Sequence, residues 1–191
     1  IGLIYTTQKN IDGSYLIGTS NSLYKIQNNK NYKKIADFTM IVDEIEFIDN
    51  NEILINCENG QLLKINLNTE LIKIIDDTKH IYSSWDFVYN KTSRNIIYPN
   101  SKRRDYIMDI DLLDLNGKII NKLENVGGQV VCISNSNKSI EFNHLDSNEV
   151  IFIVSDGSVK LWNIYSGGKE PITKLGFDYY NLIDNKLKNF K

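Results

Sequence analysis

Alanine is almost missing from this chain: Ala36 is the only one in 191 residues. Isoleucine, asparagine and lysine are abundant instead, the codon bias of an AT-rich genome, which carries no information on fold. Histidine, cysteine, methionine and tryptophan occur twice each. With only His80 and His144, no two-histidine metal spacing arises, and no CxxC, HExxH, GxSxG or phosphate-loop pattern is present. Two cysteines do not make a disulfide scaffold. Cys57 and Cys132 both fall within apolar strand patterns, where small buried free thiols are the ordinary reading. That reading implies a reducing, intracellular and cytoplasmic setting, with the nucleus left open.

Long hydrophobic runs are also absent. The longest, Val150 to Val154, is far short of a bilayer span. Charge of one sign is missing too: the formal net charge is -2, with acidic and basic residues interspersed. No global field would draw in nucleic acid or an anionic membrane. Asn90-Lys91-Thr92 and Asn137-Lys138-Ser139 match the glycosylation sequon, as chance provides in a chain this rich in asparagine.

What is present is alternation. Period-2 apolar runs bounded by Gly, Asn and Asp turns extend almost throughout, and no long helical periodicity appears. The runs also repeat. Ile45-Glu46-Phe47 leads to Asn51-Glu52-Ile53-Leu54-Ile55, and Ile140-Glu141-Phe142 leads to Asn148-Glu149-Val150-Ile151-Phe152. Each pair then meets a turn, Asn59-Gly60 or Asp156-Gly157, followed by a large apolar residue, Ile65 or Trp162.

Two looser copies complete the set. The first runs from Leu3-Ile4-Tyr5 through Asp12-Gly13 and Tyr15-Leu16-Ile17 to Leu23–Ile26. The third runs from Ser84-Trp85-Asp86-Phe87 through Asn95–Tyr98 to Tyr106–Leu115. Taking Ile26, Ile65, Leu113 and Trp162 as equivalent anchors gives steps of 39, 48 and 49 residues, close to the period of about 40–50 residues of propeller blades. A fourth strand follows each anchor: Tyr32 to Phe38, Leu71 to Ile75, Ile119 to Leu123 and Ile172 to Leu175.

The fold expected is therefore all-β, with about four blades of four antiparallel strands, at 1–39, 40–78, 79–126 and 138–176. Residues 177–191 resemble the start of a further repeat, and the chain opens at Ile1 without a methionine. The expectation is a segment of a larger propeller, or one completed by another chain. An open array leaves faces and edges that another domain would cover.

Ser155-Asp156-Gly157-Ser158-Val159-Lys160-Leu161-Trp162-Asn163 resembles the signature segment of a WD-repeat β-propeller blade. The detailed likeness covers residues 140–168. In that family a turn Asp, a strand hydroxyl, a Trp and a His form a buried hydrogen-bonded network, which the resemblance places on Asp156 and Trp162. The chain departs from the pattern in carrying Trp162-Asn163 for Trp-Asp, Val154 where the hydroxyl stands, and no Gly-His pair before any blade. Bacterial sensor-type and quinoprotein-like propeller repeats, to which Gly18–Ile26 is also similar, stay open.

Residues able to carry chemistry are sparse. Asp109 and Asp111 share one strand face, opposite Met108, Ile110 and Leu112. Paired carboxylates can bind a cation or serve as acid and base, but such clean alternation is read as a solvated face. Lys102, Arg103 and Arg104 form a basic cluster in a long hairpin turn, read as solvated and capped by Asp105; as an anion contact it lacks aromatic interleaving for base stacking. His144 is read as exposed in a polar turn, and His80 as a turn or blade-packing residue. Trp162 is expected in the blade core. Trp85, in the least regular copy, is a core residue or a ligand platform. Glycines at 127–128 and 167–168 mark turns, and residues 125–137 are expected to project as a loop.

No catalytic, cofactor or metal site is expected. The function this implies is a non-catalytic protein–protein interaction platform or scaffold subunit whose partners are other proteins, docked by backbone pairing and a few aromatic or Arg anchors such as Trp85 and Lys102 to Arg104. Two alternatives remain from the sequence: an enzyme or small-molecule sensor with its site at the central channel, using Asp109, Asp111 and His80, or a subunit of an RNA-handling complex.

Overall fold

The computed structural model describes residues 2–27, 31–58, 60–77, 82–83, 86–101, 107–135, 147–165 and 173–175, with the backbone alone described at 82, 83, 101 and 173–175. The described chain is all-β. No helix in it is long and apolar enough to cross a membrane.

Among the described residues, seventeen strands form four antiparallel sheets, each taken from consecutive sequence. The first sheet is β1 (Ile4–Lys9), β2 (Tyr15–Thr19), β3 (Ser22–Ile26) and β4 (Tyr32–Asp37). The second is β5 (Val42–Phe47), β6 (Glu52–Cys57), β7 (Leu62–Asn66) and β8 (Ile72–Asp76). The third comprises β9 (Tyr82–Ser83), β10 (Val88–Asn90), β11 (Asn95–Ser101), β12 (Asp109–Leu113) and β13 (Ile119–Leu123). The fourth is β14 (Val130–Ser134), β15 (Glu149–Val154), β16 (Val159–Asn163) and β17 (Thr173–Leu175). Within each sheet, spatial order follows sequence order, as in the meander of a propeller blade.

One turn chemistry recurs through these meanders. At 10–14, 57–61, 114–118 and 154–158 the first residue's amide donates to the fifth residue's carbonyl, and the glycine amide in fourth place donates back to the first, over 2.7–3.0 Å. Gly13, Gly60, Gly117 and Gly157 all have φ between 78° and 88°. This is a type I turn closed by a glycine bulge, which only a residue without Cβ enters cheaply. The same turn joins strands one and two in the first sheet, two and three in the second and fourth, and three and four in the third. Asp-Gly and Asn-Gly pairs therefore mark hairpins without marking the phase of the repeat.

The sheets pack face to face in sequence order. Leu16, Leu23 and Ile35 of the first sheet join Val42, Ile45, Ile53, Ile55, Leu63 and Ile65 of the second in one core cluster. Leu54, Leu62 and Ile75 of the second join Phe87, Tyr89, Ile96, Tyr98 and Leu113 of the third. Val88, Ile97, Ile110 and Leu112 of the third join Val130, Val150, Phe152 and Trp162 of the fourth. A single sheet cannot bury both faces; its neighbours supply the core. Three of the expected anchors are structurally equivalent. Ile65, Leu113 and Trp162 each sit on the third strand, and each is buried against the preceding sheet. Ile26, on the third strand of the first described sheet, is half-buried. Close approach is built in: a Cβ on Gly18 would stand 2.8 Å from a Val42 methyl across the first seam.

Two expectations about leading strands are corrected. Residues 130–134, assigned to a projecting loop, form β14, which pairs with β15 from Val130↔Val154 to Ser134↔Ile151. The apolar run Val130-Val131-Cys132-Ile133 after the Gly127-Gly128 turn is a strand on its own pattern; the longer interval had masked it. Ile140-Glu141-Phe142, expected in that place, lies outside the described residues. In the third sheet the leading strand is split. β10 pairs Val88↔Ile97 and β9 pairs Ser83↔Asn100, so the two stretches of the ladder lie on either side of Tyr98 and Pro99. Proline has no amide to give to a ladder and fits such a break.

Cys57 is buried as expected. Cys132 is exposed, because β14 is an edge strand and pairs Cys132 with Ile153 on the outward face.

Candidate functional site

The structure relocates the two carboxylates. Asp109 and Asp111 are 8% and 2% exposed, not solvated. On β12 they pair with Asn100 and Tyr98 of β11, on the face turned toward the second sheet. Lys122 of β13 reaches both, at 2.9 Å from Asp109 and 3.8 Å from Asp111. The Asn100 amide donates to Asp111 Oδ2 at 2.6 Å, and the Asn125 backbone amide donates to Asp109 Oδ1 at 2.9 Å. Burial pulls the Lys122 ammonium down, but the hydrogen bond to Asp109 and the charges of Asp111, Asp109 and Glu124 outweigh it, so its pKa is raised.

Across the seam, the Tyr98 hydroxyl donates to the Gly60 carbonyl at 2.7 Å and approaches Asn56 Oδ1 at 3.3 Å. Burial, then the charges of Asp76, Cys57, Asp111 and Asp43, push that phenol far above its ordinary value. The set is a buried polar seam in which each carboxylate already has a cation or donor. Its chemistry is structural pairing, with the Lys122 ammonium set against both acids. Among the described residues, no three His, Cys, Asp or Glu side chains stand together to hold a metal ion.

Trp162 is wholly buried, as expected. Asp156 is exposed, and its Oδ1 accepts the Ser158 amide at 2.8 Å, an Asx turn. Trp162 Nε1 is buried without a hydrogen-bond partner. The Asp–Trp network that the WD-repeat resemblance implied is therefore not formed among the described residues. Gly60 caps its turn. Asn90 is buried, its amide donating to the Ser147 carbonyl and its Oδ1 accepting the Thr92 and Ser93 amides, so that sequon is a hairpin cap. Asn59, His80, Trp85, Lys102, Arg103, Arg104 and His144 lie outside the described residues, as do Gly167-Gly168 and residues 177–191.

One surface feature went unread in the sequence. The leading strands gather, with β5 lying against β1 and β2 of the first sheet and β10 of the third. The fourth strands are the opposite edges of the sheets. On β4, β8 and β13, the residue paired with the anchor is large, apolar and exposed: Tyr32 opposite Ile26, Ile72 opposite Ile65 and Ile119 opposite Leu113. Their exposures are 62%, 45% and 46%. Leu71, Ile74 and Ile120 extend the exposed set. The signal was available, since each of the three lies six or seven residues past its anchor.

The chain matches no protein-family model and no curated protein. Solved structures do resemble it. The computationally designed Ika4 protein superposes with a TM-score of 0.64 at 12% identity, covering 85% of this chain and 92% of that one. The computationally designed Ika8 protein gives 0.65 at 13% identity, covering 91% of this chain and 49% of that one. This chain thus spans about half the length of the second. At such identities the likeness is one of fold alone.

Proposed function

We propose that this protein is a non-catalytic interaction platform, a scaffold subunit that docks other proteins on the outer rim of its blades. The observation that carries this reading is the repeated exposure of Tyr32, Ile72 and Ile119 at matching register on successive edge strands. Edge strands offer unpaired amides and carbonyls for backbone pairing, and apolar side chains at regular spacing supply anchors. Natural sheets blunt free edges with charge. β4 does so with Lys33 and Lys34, whereas β8 carries Ile72, Ile74 and Ile75 around a single Lys73.

The finer kinship we propose, to propellers of the WD-repeat type, rests on the Asp156-Gly157 turn and the buried Trp162; the unpartnered indole weighs against it. Partners are proteins in an intracellular setting. The enzyme alternative is weakened at its two acids, because Lys122 already engages Asp109 and Asp111 in a buried ion pair.

Crosslinking and size-exclusion chromatography of the tagged chain from native extract test the reading. A discrete larger complex is expected, and Ile72→Asp with Ile74→Asp should release the chain from it while leaving the fold intact. A solitary monomer in extract, or a complex indifferent to those substitutions, would overturn it.

A further inference from the structure

The second sheet contains an acid that its surroundings do not satisfy. β5 carries a bulge between Val42, paired with Cys57, and Glu44, paired with Asn56. The extra residue is Asp43, and its Oδ2 is buried with no hydrogen-bond partner. A carboxylate oxygen shut from water without a donor favours the protonated form. The neighbours add to this. Glu44 adjoins it, and Glu58 is brought alongside by its amide, which donates to the Ile41 carbonyl at 3.0 Å. Burial, then Glu58 and Glu44, raise Asp43 to about 6. Cys57, buried beside it, is pushed up to about 12 by burial and by the Asp43 charge. Tyr98 faces the group from the third sheet. From the first sheet, Gly18 approaches neighbouring Val42 closely and Leu16, Leu23 and Ile35 share its core cluster, and none of them carries a charge.

Asp43 is connected to the seam by a short path. Cys57 opens the 57–61 turn, in which the Cys57 amide donates to Gln61 and the Gly60 amide donates back to Cys57. The Gly60 carbonyl of that turn accepts the Tyr98 hydroxyl at 2.7 Å. This hydrogen bond crosses from the third sheet to the second.

We propose that Asp43 is an acid latch on this joint: neutral, it lets the 57–61 turn close against Tyr98, and ionised, it repels Glu44 and Glu58 and loosens the turn. The joint is tight in mild acid and looser at neutral pH. The effect is independent of the rim reading above, since it concerns how two blades hold each other.

Amide exchange of the full chain at pH 5 and pH 7.5, corrected for intrinsic rates, reads the latch directly. Protection at Glu58 and Gly60 is expected to fall by about ten-fold over that interval, the equivalent of roughly one pKa unit of differential interaction. Amides of β15 and β16 serve as the unaffected reference. Asp43→Asn, isosteric and always neutral, should keep the acid-like protection at both pH values. Glu58→Gln, which removes one repelling charge, should lower the midpoint. The proposal is overturned if wild-type protection at the turn is flat, if all sheets lose protection together, or if Asp43→Asn shows the wild-type fall.

Discussion

The seam between the first and second sheets and the seam between the second and third are built from different materials. The first is dry: Leu16, Leu23, Ile35, Val42, Ile45, Ile53, Ile55 and Ile65 meet with no buried ion pair among them. The second has an apolar part, Leu54, Leu62, Phe87, Ile96 and Leu113, and beside it Tyr98, Asn56, Asn100, Asp111 and Lys122 joined by hydrogen bonds and charge. Apolar packing stabilises in proportion to area and is indifferent to small slips. A buried polar set adds little net stability, yet strongly disfavours any arrangement that leaves one member alone. The first seam therefore contributes cohesion, and the second fixes how the sheets sit.

Lys122→Ala should produce the largest effect, because it leaves Asp109 and Asp111 buried without their cation. A loss of about 3 kcal/mol is expected in urea unfolding. Replacing both acids by Asn in the same background should recover part of it; a loss no greater than that of an ordinary surface substitution would show the seam to be wet and weak. Gly117→Ala comes next. Its φ of +88° disfavours any side chain, and the new Cβ would stand 2.1 Å from the Ile75 carbonyl across the second seam. About 2 kcal/mol is expected, with heat unfolding as the check.

Tyr98→Phe keeps the ring and removes the donor to Gly60, at about 1–2 kcal/mol. Its dry-seam counterpart, Ile55→Val, should cost about 1 kcal/mol through lost packing alone. The two differ in kind: only the tyrosine change should loosen exchange at the 57–61 turn. The smallest effect is the pH dependence of Asp43. Its folded value of about 6 lies above the ordinary 3.8, so the folded state holds a proton that the unfolded chain releases. Its contribution is complete below about pH 4 and is lost as pH rises through 6. The side chain is only half-buried, so screening holds this to about 1 kcal/mol. Unfolding midpoints of wild type and Asp43→Asn should diverge between pH 4 and 6.

The dry seam was largely legible in the sequence and the polar one was not. Period-2 runs place Leu16, Ile53, Ile55 and Ile65 inside by alternation alone, and Asp12-Gly13 and Asp156-Gly157 announce their hairpins. The anchors worked because one large residue per third strand must plug the preceding sheet. Alternation says which residues share a face but not what that face meets. Asp109 and Asp111 alternate with apolar residues as on a wet face, and only the second sheet and Lys122, eleven residues beyond Asp111, make the face a dry one. β14 was overlooked because repeat matching chose Ile140-Glu141-Phe142 by likeness to the second copy. The ladder on β11 breaks at Tyr98-Pro99, between β9 and β10, where a continuous pattern was expected.

The central claim is that each sheet's third-strand anchor is buried in the sheet that precedes it. Methyl–methyl NOE spectroscopy on the intact chain tests it most directly. The account predicts that Ile65 methyls contact Leu16 or Leu23 and that Leu113 methyls contact Leu54 or Leu62. Leu113 contacts to the fourth sheet instead, or Ile65 contacts to the third, would contradict it.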